Sequence, residues 1–239
     1  MPAHDPISRD EPSARAGAPQ DASPSALREL AHSVVVPALR WDGAQYLVDG
    51  SPSSAAELVD AGVAGFILFG GNVRAARDLI GILRRRCDRP LLFGADLERG
   101  AGQQFEGATP LPPAGALGDL DDLAVTRAAG ELTAREARAL GIEMVFAPVA
   151  DVAADRESPI VGPRAFSADP DSAARHVAAW VSGALAAGAL PCVKHFPGHG
   201  RASGDSHVGR VRVTADADVL DLDLAPFRAG IEAGVPMVM

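Results

Sequence analysis

The sequence has few of the features that mark secreted or membrane proteins. It contains two cysteines, Cys87 and Cys192, which lie far apart along the chain. This spacing does not indicate a disulfide framework, and it favours a reducing compartment. No apolar run reaches the roughly eighteen residues that a membrane helix needs. The N-terminus also lacks the basic and then apolar arrangement of a signal peptide. These absences predict a cytoplasmic protein without a membrane partner.

Basic charge is also scarce. Lysine and arginine total 22 against 31 aspartates and glutamates, which leaves a net charge of −9 and argues against nucleic acid as a partner. With 239 residues and 47% hydrophobic content, the chain can bury the core of one large domain. Residues 1–26 are an exception, because their Pro, Ala and Ser content without apolar periodicity predicts a disordered tail before a domain at 27–239.

Beyond that tail, short apolar runs alternate with helical patterns, which predicts βα units around a parallel sheet, an α/β fold. The predicted strands are 33–38, 65–69, 90–95, 143–147, 190–195 and 235–239. The predicted helices are 53–61, 73–86, 121–140, 171–188 and 216–233. About six strands are thus predicted, two fewer than the eight of a closed (β/α)₈ barrel.

Chemically informative residues concentrate in the segment from Lys194 to His207, whose sequence is KHFPGHGRASGDSH. Pro197 and three glycines exclude a helix here. We expect a buried strand that delivers Lys194 and His195 at its end, and then a loop that carries Asp205 and His207. Parallel α/β enzymes keep their chemistry in loops at such strand ends.

The Asp205 and His207 pair suits proton transfer. A histidine with a pKa near about 6.5 can protonate a leaving alkoxide and later take a proton from water. A carboxylate two residues away can fix its tautomer. Taken alone, however, a D-x-H tripeptide is also compatible with a solvated loop of no catalytic role.

The combination of KHFPGHG with DSH resembles the signature of glycoside hydrolase family 3, in its β-N-acetylglucosaminidase branch. The resemblance implies a TIM-type (β/α)₈ barrel, incomplete here. It also implies that His207 is the general acid/base and that Asp205 is its dyad partner. No cofactor and no metal are implied.

Further motifs in the expected order extend the resemblance over about residues 33 to 239. LFGGNV and FAPVADV resemble family turns, and GADLERGAGQQF and IVGPRAF resemble sugar-binding elements. Asp96 matches the aspartate that binds sugar hydroxyls, and Arg164 matches the arginine that contacts the sugar. Lys194 and His195 match residues that hold hydroxyls of the sugar next to the scissile bond.

Two neighbouring carboxylates are less clearly assigned. The common family form has two glycines after its glutamate, whereas Arg99 and Gly100 follow Glu98 here, so the resemblance supports Asp96 more securely than Glu98. Asp151 lies at the base of the loop after the fourth predicted strand. It is interpreted either as a structural cap of that loop or as a substrate contact, and both interpretations stay open.

One part of the mechanism is missing from the sequence. A retaining glycosidase needs a second carboxylate as nucleophile. The family carries it on a later strand, in a segment resembling TDDLxM, and the sequence contains no such segment. We therefore expect either a fragment of a longer product or a shortened homologue that completes itself with a partner, and we expect no turnover by these residues alone.

The leading hypothesis is a hydrolase that removes terminal β-linked N-acetylglucosamine from small glycans such as muropeptides, with phosphorolysis as a variant. The alternative is a sugar-binding remnant that cannot turn over. A third hypothesis is a zinc hydrolase that uses His195, His199 and His207, but Pro197 and Gly198 remove the helix that would align the first two. The sequence indicates no oligomeric state.

Overall fold

The computed structural model describes residues 23–51, 53–154, 158, 160–202, 209–210, 212–213 and 215–239. Its helices are α1 (Pro24–His32), α2 (Ala55–Ala61), α3 (Val73–Arg84), α4 (Ala114–Leu120), α5 (Leu123–Leu140), α6 (Pro170–Ala186), α7 (Ala217–Asp223) and α8 (Ala225–Glu232). Its strands are β1 (Ala38–Trp41), β2 (Tyr46–Val48), β3 (Gly65–Phe69), β4 (Leu92–Ala95), β5 (Met144–Val145), β6 (Leu190–Val193) and β7 (Met237–Val238). Short 3₁₀ helices lie at Ala101–Gln103 and Gly162–Arg164.

The strands form one sheet in the order β2-β1-β3-β4-β5-β6-β7. Among the described strands, β1 and β2 pair antiparallel, β3 pairs in parallel with β1, and each of β4 to β7 pairs in parallel with the strand before it. This sequential parallel order, with helices between most strands, is the winding of a TIM-type barrel. The described residues supply six parallel strands and the sheet is not closed, so the predicted incomplete barrel is confirmed.

Local signals explain where the main helices begin and end. Ser54 and Glu57 form a capping box that starts α2. Asp122 accepts hydrogen bonds from two backbone amides at the start of α5, and Gly141 ends that helix in the left-handed conformation. These caps set the residues at which α2 and α5 begin and the residue at which α5 ends.

The two faces of the sheet differ in how they are covered. Phe66 and Phe93 pair across β3 and β4 and lie fully buried in the main core between sheet and helices. On the other face, Ile67, Gly94, Met144 and Leu190 form one row across four strands. A separate cluster forms on this inner face around Met144, Phe146 and Cys192.

Glycine is required at one point in that row. A Cβ on Gly94 would lie 2.8 Å from Cζ of Phe146, which is too close for a carbon pair. The absence of a side chain at Gly94 thus lets the Phe146 ring fill the space inside the sheet. At the edge of the inner face, Leu92 and Leu190 stay more than one third exposed.

The first predicted strand, at 33–38, is wrong in position. Val35 and Pro37 already accept hydrogen bonds from Ala64 and Ile67. Proline has no N–H to donate, however, so the regular ladder begins only at Ala38. The hairpin partner β2 was not predicted, because three residues give too short a pattern.

Two helix predictions also need correction. The segment predicted as one helix at 216–233 is α7 followed by α8, with Pro226 in the first turn of α8, where its missing N–H is tolerated. Helices α1 and α4 were not predicted, and α1 begins at Pro24, near the end of the predicted 1–26 tail. Residues 1–22 of that tail lie outside the described residues. No described helix has the length and apolar content to span a membrane.

Candidate active site

A cavity of about 690 Å³ lies beside the carboxyl ends of the parallel strands. Asp96 follows β4, Arg164 lies on the short 3₁₀ helix between β5 and α6, and Lys194 and His195 follow β6. Because parallel strands end at the same edge of a sheet, side chains far apart in sequence meet there. The structure therefore brings four of the six predicted site residues to one cavity.

Lys194 is buried, with 3% of its surface exposed. Its Nζ lies 2.6 Å from Oδ1 of Asp96 and 2.7 Å from Oε1 of Glu98. A buried ammonium group is tolerated only with such partners. The two carboxylates after β4 are thus what allows a lysine at the end of β6.

Glu98 also binds Arg164 through both carboxylate oxygens. Oε1 lies 2.7 Å from Nη2 and Oε2 lies 2.8 Å from Nε, which is the bidentate geometry of strong arginine–carboxylate pairs. Burial alone would raise the pKa of Glu98, but the hydrogen bond from Arg164 and the charge of Lys194 outweigh it and lower this pKa from 4.5 to about 2. The hydrogen bond with Glu98 raises the pKa of Arg164.

Asp151 orients His195 from below the cavity. Its side chain is fully buried, and its Oδ2 lies 2.7 Å from Nδ1 of His195 while its Oδ1 accepts the backbone N–H of His199 at 2.6 Å. Arg164 Nη2 lies 3.2 Å from Nε2 of His195. Because a guanidinium can only donate, Nε2 accepts and the ring proton lies on Nδ1. These contacts favour the structural interpretation of Asp151.

The sequence alone therefore did not predict the contacts of Glu98 and Asp151 with the other residues of the site. One signal was available, because Glu98 stands two residues after Asp96 on the loop that follows β4. Asp205 and His207 lie outside the described residues, and their catalytic assignment stays a prediction.

The zinc hypothesis finds no support at His195. Both of its ring nitrogens are engaged, one with Asp151 and one with Arg164. Among the residues that the structure describes, no group of three histidine, cysteine or acidic side chains could hold a metal ion. The third histidine of that hypothesis, His207, lies outside them.

The lowered pKa of Glu98 predicts a pH dependence of stability. Its folded-state pKa lies below its unfolded value, so its contribution of about 3 kcal/mol is present above pH 4.5 and is lost as the pH falls towards 2. Between pH 6 and 3, the wild type should lose about 2 kcal/mol more free energy of unfolding than Glu98→Gln. Urea denaturation at several pH values measures this, and parallel curves for the two proteins would contradict it.

Six parallel strands wound in sequence, with interlocked charged side chains at their carboxyl ends, define an incomplete α/β-barrel domain with a polar cavity. Residues 39–239 match the family described as "Glycosyl hydrolase family 3 N terminal domain". The chain belongs to this family.

Individual relatives agree with that assignment. A beta-hexosaminidase of Xylella fastidiosa (strain M23) is 41% identical, over 80% of this chain and 61% of that protein. A glycoside hydrolase family 3 beta-N-acetylglucosaminidase from Paenibacillus superposes with a TM-score of 0.78 at 32% identity, covering 89% of this chain and 41% of that one. NagZ from Neisseria gonorrhoeae, solved with N-trifluoroacetyl-D-glucosamine, gives 0.73 at 30% identity, covering 86% and 64%. The chain thus spans less than two thirds of the length of these relatives.

Proposed function

We propose that this chain binds a terminal β-linked N-acetylglucosamine of a small glycan and supplies the acid/base pair of a retaining glycoside hydrolase. The observation that carries the proposal is the interlocked set of Asp96, Arg164, Lys194 and His195 at one cavity. The sugar follows from the relatives, one named a beta-hexosaminidase and one solved with an N-acylated glucosamine. Muropeptide-type substrates and a cytoplasmic location stay predictions.

Counting donors and acceptors indicates how this set would hold a sugar. Lys194 donates two of its three N–H groups to Asp96 and Glu98, so one has no acceptor among the described residues. Arg164 makes four N–H contacts, two with Glu98 and one each with His195 and the carbonyl of Ile160, which leaves one of its five N–H groups without an acceptor in the described part of the chain. Asp96 keeps one oxygen as an acceptor. Two donors beside one carboxylate oxygen suit neighbouring hydroxyl or acetamido groups.

In the proposed reaction, His207 protonates the glycosidic oxygen as the bond to the anomeric carbon breaks, and Asp205 orients the ring. A carboxylate attacks the anomeric carbon and forms a glycosyl-enzyme intermediate. His207 then takes a proton from the water that releases the sugar. The sequence offers no counterpart of the family's nucleophile segment, which favours the second candidate, sugar binding without hydrolysis, for these residues on their own.

Isothermal titration with N-acetylglucosamine tests the binding step. Asp96→Asn should weaken binding about 10-fold to 100-fold, because the charged acceptor for Lys194 and for a sugar hydroxyl is lost. Asp49→Asn is the matched control, since the Asp49 carboxylate forms an exposed ion pair with Arg40 and does not line the cavity. Equal affinity for glucose and N-acetylglucosamine would contradict the proposed sugar, and an unchanged affinity of Asp96→Asn would contradict the proposed site.

A further inference from the structure

Glu98 joins three separate parts of the chain through one carboxylate. It follows β4, Lys194 follows β6, and Arg164 lies on the 3₁₀ helix before α6. Only about 10% of the Glu98 side chain is exposed. Of the roughly four acceptor positions of a carboxylate, three are occupied by these two cations. Most of the acceptor capacity of Glu98 is therefore used by protein side chains, which leaves little for a ligand.

We propose that Glu98 is a positioning residue of the sugar site, which holds the Lys194 ammonium and the Arg164 guanidinium so that the remaining N–H of each serves the ligand. This inference rests on the proposed function. Glu98 differs in this respect from Asp96, which contacts Lys194 through a single oxygen and whose side chain is 29% exposed. Asp96 is free to contact the sugar, whereas Glu98 acts through its neighbours.

The physical reason is the cost of ordering long cationic side chains. Lysine and arginine have many rotamers, and each side chain loses much of this conformational freedom when a ligand immobilises it. With Glu98 in place, the two side chains lose this freedom when the protein folds and not when the ligand binds. Without the charge on Glu98, Lys194 keeps Asp96 and Arg164 keeps Ile160 and His195 as partners among the described residues, so both side chains have more freedom to lose when a ligand binds.

The main test is isothermal titration of N-acetylglucosamine into Glu98→Gln, which keeps the shape of the side chain and removes its charge. We expect affinity to fall about 10-fold to 100-fold. Glu143→Gln is the matched control, because Glu143 also holds two arginines, Arg84 and Arg138, but at the opposite end of the sheet before β5. It should lower stability and leave affinity unchanged.

A double-mutant cycle separates positioning from an independent effect. If Glu98 acts through the guanidinium, the losses of affinity in Glu98→Gln and Arg164→Lys should combine to less than their sum. Strict additivity would overturn the inference, as would wild-type affinity in Glu98→Gln.

Failure of the proposed function has a different signature, because the wild type would then not bind N-acetylglucosamine at all. The positioning role is still measurable in that case. A crystal structure of Glu98→Gln without ligand should show Lys194 and Arg164 displaced by about 1 Å or more, a shift large enough to matter in a binding site. Unmoved side chains would overturn the inference whatever the sugar result.

Discussion

A polypeptide of these 239 residues should release no measurable 4-nitrophenol from 4-nitrophenyl N-acetyl-β-glucosaminide. The cavity holds the groups that we propose bind the sugar, and the resemblance assigns the acid/base pair to Asp205 and His207, but the sequence contains no counterpart of the family's nucleophile segment. Without a nucleophile, the glycosyl-enzyme intermediate of a retaining reaction cannot form. The measurement is absorbance of the released nitrophenolate over hours at high protein concentration.

The control for folding is a rise in thermal stability when N-acetylglucosamine is added, since a ligand that binds only the folded state stabilises it. His207→Ala is assayed beside the wild type. Nitrophenol release by the wild type that disappears in His207→Ala would contradict the prediction. It would mean that a nucleophile comes from these residues or from a second copy of them.

Lys194→Met should lower the free energy of unfolding by about 3–5 kcal/mol, the usual cost of removing one partner from a buried ion pair. The substitution keeps the length of the side chain and removes the ammonium that separates Asp96 from Glu98. Asp96 would then lose its cationic partner, and Glu98 would keep Arg164 as its cationic partner among the described residues. Binding of N-acetylglucosamine should be lost as well.

Urea denaturation at neutral pH measures the effect, and Arg99→Met is the matched control. Arg99 lines the same cavity but is exposed, and no ion pair of its side chain is found within the described part of the chain. Its replacement should change stability by no more than about 0.5 kcal/mol. Equal losses for the two variants would show that the burial of Lys194 contributes nothing specific.

The order of strands and helices was predictable because each βα unit carries its own hydrophobic pattern and its own caps, as at Asp122 and Gly141. The elements that were missed are those with weak local patterns. The hairpin strand β2 has three residues, and Pro226 divides what reads as one helix into α7 and α8. Their positions depend on tertiary packing, which a single sequence does not display.

The candidate site was also predictable only in part. Lys194 and His195 were predictable because they follow a buried apolar run. The partnership of Glu98 with Lys194 and Arg164 was not, since the three residues come from different loops and meet only because parallel strands end at one edge. The tautomer of His195 likewise depends on Asp151 and Arg164, neither of which is near it in sequence.

Two leucines at the edge of the inner face of the sheet have a practical consequence for the behaviour of this polypeptide in solution. Leu92 and Leu190 stand with more than a third of their surface in water, beside the cluster of Met144, Phe146 and Cys192. Apolar surface of this kind attracts other chains and fluorescent dyes such as anilinonaphthalene sulfonate. Leu92 and Leu190 are therefore the place on the inner face where such a dye is expected to bind the folded protein.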